Sequence, residues 1–164
     1  EILLSNISFK LNDIKNVKTF NCIISDNNTT KYITNLVSTM NSVRDKIPIN
    51  ETTYSKVKSL KLSNFLLENN LNYIDFLKLD IEGHEINLLN DLLDLEIKYG
   101  QIEIINKNTF QQNLEFLQLL SNKFTLFDNE SFNEINVENL KNFLEQKLLK
   151  HSAFDVFINS KNIK

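Results

Sequence analysis

The chain has 164 residues, 41% of them hydrophobic and 24% charged, with a formal net charge of −3 and one cysteine, Cys22. That length and apolar content support one domain with its own core, and the slightly acidic balance excludes the basic face on which nucleic-acid binders depend. A lone cysteine excludes an internal disulfide and a cysteine-based metal site, which fits a reducing cytoplasm, and no apolar run approaches the roughly 20 residues that span a bilayer.

Taken in order, Leu3, Ile7, Leu11 and Ile14 recur at helical spacing and predict an amphipathic helix over residues 1–13. Val17 to Ile24 is rich in β-branched and aromatic residues, which predicts a strand, and Ser25-Asp26-Asn27-Asn28 is the turn after it. Residues 27–50 lack a clean period and hold the only proline, Pro48, so they predict a long loop with at most one short element. Thr52 to Lys58 alternates weakly as a short strand, and Leu62, Phe65 and Leu66 share one face of a helix that Ser59 is placed to cap and that runs to about Asn70. Further on, strands are expected at Tyr73–Leu79, Gly100–Asn106, Lys123–Phe127 and Ala153–Ile158. The helical faces between them carry Ile86, Leu89, Leu92 and Leu93, then Phe110, Leu114 and Leu117, then Val137, Leu140, Leu144 and Leu148. Strands alternating with helices predict a doubly wound α/β sheet.

One stretch concentrates the chemistry. The run Phe76-Leu77-Lys78-Leu79 ends in Asp80-Ile81-Glu82-Gly83-His84-Glu85. Its strand is apolar on both alternating faces, which suits cover on both sides, and Asp80 sits at the carboxyl end, where open α/β sheets bind ligands. Gly83 is one of only two glycines in the chain and marks a backbone conformation or an approach that a Cβ would block. Glu82 and Glu85 fall at the start of the next helix, where negative charge is favoured.

Residues 76–89, FLKLDIEGHEINLL, resemble the signature of the FkbM family of S-adenosylmethionine-dependent methyltransferases: an apolar strand, then K-x-D-x-E-G-x-E, then an apolar helix. Lys78, Asp80, Glu82, Gly83 and Glu85 all stand at family positions. The flanks agree, with Val57 to Leu62 similar to the preceding strand and helix start, and Gln101 to Ile104 similar to the next strand with its acid, so that the likeness extends over about residues 1–128. The family begins with a strand and a glycine-rich turn that holds the methionine end of the cofactor, followed by a strand ending in an acid for the ribose. Neither is found in these residues, which have no G-x-G. The expectation is therefore a partial, N-terminally truncated FkbM-like domain over residues 1–164. Its fold is α/β, with a Rossmann-like class I methyltransferase sheet that is mostly parallel, has an antiparallel C-terminal edge and lacks its first two strands.

The resemblance implies S-adenosylmethionine as cofactor and a hydroxyl of a small molecule, a sugar or a secondary metabolite, as acceptor, for a longer parent protein whose isolated 164-residue piece is expected to be inactive. Asp80, Glu82 and His84 are the catalytic candidates: a carboxylate or an imidazole takes the hydroxyl proton while the oxygen is aligned behind the methyl. Ser25, Asp26, Asp80 and Gly83 are the cofactor-binding candidates, with Asp26 offered to the adenine amine. Asp80 has a structural alternative, closing the turn by hydrogen bonds to backbone. Two carboxylates alone do not define a cation site, and no metal is assigned. Lys78 is expected to lay its stem along the sheet, Glu85 to cap the helix or touch ligand, and His151 to lie on the surface. Two other classes remain: Asp80-Ile81-Glu82 as the acidic motif of a nucleotide-sugar glycosyltransferase, against which the Gly-His-Glu continuation argues, and a non-catalytic α/β module.

Overall fold

A computed structural model of the chain describes residues 2–34, 43–44, 54–81 and 83–161. Their contacts divide the chain into two units, Glu1–Lys61 and Leu62–Lys164.

In the first unit, helix α1 (Ile2–Leu11) ends at Asn12, whose side-chain amide turns back to the Ser8 carbonyl at 2.8 Å, and at Asp13, which takes a positive φ of 52°. Ile7, Leu11 and Ile14, three of the four residues of the predicted apolar stripe, are exposed. The four-stranded sheet has the order β1 (Cys22–Ile24), β4 (Tyr54–Leu60), β2 (Thr30–Thr34), β3 (Val43–Arg44). Strand β4 runs parallel to β1 and antiparallel to β2. The strand expected from Val17 is thus confined to Cys22–Ile24. Val17 and Phe20 are exposed, and with nothing to bury there a high β-propensity has no packing to reward it. Strands β2 and β3 both fall inside the stretch read as a loop with at most one short element; residues 35–42 and 45–50 of that stretch, including Pro48, lie outside the described residues. Ser59, expected to cap the next helix, is instead a buried residue of β4.

The second unit opens with α2 (Leu62–Glu68). Its first amide is capped from a distance, the Leu62 N–H donating to Asp91 Oδ2 at 3.0 Å. It closes on Asn70 at φ 55°, the left-handed cap that short polar side chains tolerate. There follow β5 (Ile74–Leu79), a 3₁₀ turn (Glu85–Leu88) leading into α3 (Leu89–Asp94), β6 (Ile97–Ile105), α4 (Phe110–Ser121), β7 (Phe124–Asp128), α5 (Leu140–Lys150) and β8 (Ala153–Ser160). Helix α4 carries a full capping box between Thr109 and Gln112. Lys123 Nζ donates to the carbonyls of Leu92, Leu93 and Leu95 and so closes the C-terminal end of α3, where a cation is favoured.

The strand order of this second sheet is β5-β6-β8-β7. Strands β5 and β6 are parallel, and β8 is antiparallel to both of its neighbours, which leaves β5, β6 and β7 pointing the same way. Both sheets are therefore mixed. The antiparallel strand expected at the C-terminal edge lies one place inside it, because α4 carries the chain across a gap that the last strand then fills. The motif strand, β5, lies at the edge of the described sheet. Its own exposure also departs from the expected two-sided cover, since Phe76 is 55% exposed. The core lies on the other face, where Ile102, Ile104, Val156, Ile158 and Leu126 are buried with Leu92, Leu117, Leu120 and Leu144 of the helices. Gly100 is required there: a Cβ at this point of β6 would sit 2.9 Å from Ile158 Cγ1 and 3.0 Å from the Leu77 carbonyl oxygen. The open face carries Phe76, Tyr99, Phe127, Phe132 and Phe157 around a hollow of about 470 Å³, with Phe132 stacked on Phe157 at 5.7 Å.

Candidate functional site

The strand-to-turn junction at Asp80 belongs wholly to the second unit. Leu79 is buried, and the chain leaves the sheet there, so that Asp80 is the first residue past the strand and its side chain is 43% exposed. Lys78, two residues back, shares a face with it, and its Nζ meets Asp80 Oδ2 at 2.7 Å. The expectation that Lys78 lays its stem along the sheet acquires a specific end point in this pair. The Lys78 pKa is raised above the ordinary lysine value, first by the hydrogen bond to Asp80; desolvation opposes the shift, and the charges of Asp80, Asp155 and Glu103 add to it. Glu103 of β6 and Asp155 of β8 are direct cross-strand partners, so the sheet surface beside Lys78 is acidic.

Past Asp80 the chain reverses within five residues. Gly83 makes this possible at φ 94°, a conformation that L side chains rarely adopt, and a Cβ there would stand 3.1 Å from Ile105 Cγ2 and 3.3 Å from Lys107 Cδ. The glycine thus answers to the backbone and to the end of β6. The reversal returns Glu85 to the start of the turn, where its Oε1 accepts the Ile81 N–H at 2.7 Å. Glu85 is 1% exposed, and its Oε2 is buried with no hydrogen-bond partner among the described residues. The carboxylate read from the sequence as a helix cap or ligand contact is an internal tie. His84 is exposed, with Nδ1 3.5 Å from Asn87 Nδ2. Glu82 lies outside the described residues.

Ser25 and Asp26 belong to the first unit. The Ser25 hydroxyl is engaged inside it, 2.7 Å from the Ser59 hydroxyl and 3.1 Å from the Asn27 carbonyl, and its amide donates to the Leu60 carbonyl. Asp26 is exposed. His151, expected to stand alone on the surface, pairs through Nε2 with Glu130 Oε1 at 3.2 Å, and Glu130 pairs in turn with the nearly buried Lys147. Twenty residues of chain separate the members of that group, and no local pattern signals it.

Comparison with known families matches the chain to the methyltransferase FkbM domain over residues 4–147. No curated protein and no solved structure matches the chain. No helix of the described residues is long and apolar enough to cross a membrane.

Proposed function

Since the chain belongs to the FkbM methyltransferase family, we propose that it serves the transfer of a methyl group from S-adenosylmethionine to a hydroxyl of a small molecule, a sugar or a secondary metabolite. The observation that supports this most is the exposed Asp80 carboxylate, held by Lys78 at the carboxyl end of β5, where an α/β sheet presents its chemistry.

When bound, the cofactor supplies an activated methyl on a sulfonium. The residues of the chain have simpler tasks. Asp80 aligns the acceptor hydroxyl and takes its proton, with Lys78 holding the carboxylate in place; the raised Lys78 pKa keeps that lysine an ammonium and excludes it as the base. His84, exposed on the same turn, is the second acceptor for the proton, and Glu82 is assigned to orient the hydroxyl. The fit is one-sided. Asp80 in the second unit is a carboxylate suited to accept from the cofactor's amino groups, but neither glycine offers a backbone cradle, because Gly83 faces Ile105 and Lys107 and Gly100 is packed inside the sheet. Within the first unit, the exposed Asp26 carboxylate is the acceptor proposed for the adenine amine, because the Ser25 hydroxyl is already engaged.

The test is a transfer assay with methyl-labelled S-adenosylmethionine at millimolar concentration and a panel of hydroxylated sugars and metabolites. The expected result is label in an alkali-stable ether, reduced about 100-fold or more in Asp80→Asn, the usual loss on removing a general base. Label that reaches no hydroxyl acceptor, or transfer indifferent to Asp80→Asn, overturns the proposal.

A further inference from the structure

We propose that Glu85 is a positioning residue for Asp80, acting through the Ile81 amide. This rests on the assignment of Asp80 to the reacting hydroxyl. Glu85 is almost wholly buried, and a carboxylate in that setting is costly unless it is bound. Its Oε1 has one bond, to the N–H of the residue immediately after Asp80. That amide and the Asp80 carbonyl belong to the same rigid peptide plane. Fixing the amide therefore fixes the rotation about the Asp80 Cα–C bond, and with it the place of the Asp80 side chain relative to the turn that follows. Lys78 then takes Oδ2 from the strand side, so that Asp80 is held at both its main chain and its carboxylate.

Two features show that the tie is more than turn stabilisation. Burial leaves Oε2 without a partner among the described residues, where a shorter side chain avoids that penalty. The chain also adopts a backbone conformation at Gly83 that favours glycine in order to bring Glu85 back to Ile81.

The experiment compares Glu85→Gln and Glu85→Ala with the unsubstituted protein by amide hydrogen exchange at Ile81 and by carbon NMR of the Asp80 carboxyl at neutral pH. In the unsubstituted protein the Ile81 amide should be protected although it has no backbone acceptor. Glu85→Ala should speed its exchange about ten-fold or more, the effect of losing one bond to a charged group, while amides in β6 and β8 are unchanged. It should also move the Asp80 carboxyl carbon resonance at neutral pH, and Glu85→Gln, which keeps the acceptor oxygen, should restore most of both. An unprotected Ile81 amide in the unsubstituted protein, exchange in β6 and β8 that rises as much as at Ile81, or an Asp80 carboxyl resonance that Glu85→Ala leaves in place each overturns the proposal. The first of these decides the matter if Glu85→Ala does not fold. Failure of methyl transfer in the unsubstituted protein sinks the function of Asp80 and leaves the Ile81 result readable on its own.

Discussion

Replacing Lys147 by methionine tests the strongest electrostatic feature of the second unit. Lys147 is 7% exposed near the C-terminal end of α5, with Nζ 2.5 Å from Asp128 Oδ1 and 2.8 Å from Glu130 Oε2. Asp128 is mostly buried. Burial works against its charge, but the hydrogen bonds from Lys147, Ser131 and the Glu130 and Ser131 amides outweigh it and hold the carboxyl below its ordinary range. Glu130 is lowered as well, first by its hydrogen bond to Lys147. Removing one partner of a buried pair costs about 3–5 kcal/mol; since Asp128 keeps some solvent contact and Glu130 is half exposed, about 3 kcal/mol is expected, or roughly a 100-fold increase in global exchange. The sign with pH follows from the same shifts. Both carboxyls have folded values below their unfolded ones, so their contribution is present above the ordinary carboxylate range and is lost as pH falls through the folded values. Lys147 is raised, with burial opposing and the two carboxylates prevailing, so its contribution persists below its ordinary value and is lost as pH rises beyond it. Amide exchange at Leu126 and Val156, central in β7 and β8, is the assay. Exchange in Lys147→Met within about three-fold of the original at neutral pH, or an unchanged acid dependence, refutes the reasoning, because either shows that the carboxylates do not depend on the amine.

Gly83→Ala should destabilise the second unit by about 2 kcal/mol, combining the cost of a positive φ with the 3.1 Å approach to Ile105; urea denaturation showing a loss below about 0.5 kcal/mol contradicts the turn described here. Asp91→Ala removes the distant cap of α2 and should cost about 1 kcal/mol, seen as faster exchange of the Leu62 amide with β6 unaffected; equal acceleration at both places points to global unfolding instead.

Much of the second unit is legible in its sequence because its signals are local. From Tyr73 onward each strand and helix appears near its expected place, since periods of two and 3.6 residues are set by which side chains face the core at Ile102, Leu117 or Val156. What escapes detection depends on residues far apart in the chain. Ser59 has the composition of a cap, but β4 absorbs it into the sheet, and the cap of α2 comes from Asp91. The position of β5 at a sheet edge depends on which strands find it, which its own apolar pattern does not record. In the site, Asp80 at the end of β5 and Gly83 in the reversal are local consequences of strand followed by turn, and both are where the signature predicts. The burial of Glu85 is different. A glutamate at a helix start reads as a solvent-facing cap, and only the tightness of the Gly83 reversal turns it inward.

The most direct test of the central claim, that the turn from Asp80 to Glu85 is the ligand-facing part of this methyltransferase domain, is a calorimetric and NMR titration of the 164-residue chain with S-adenosylmethionine. On the proposed reading of a domain without its glycine-rich turn, at least two charge-assisted hydrogen bonds to the cofactor are missing, each worth about 1.5–3 kcal/mol, which weakens a micromolar site to the millimolar range or beyond. The account predicts millimolar binding at best, with amide shifts at Asp80, Ile81 and Gly83 that disappear in Asp80→Asn. Micromolar binding abolished by Asp80→Asn contradicts the account of an incomplete pocket, and shifts confined to residues outside that turn contradict the claim itself.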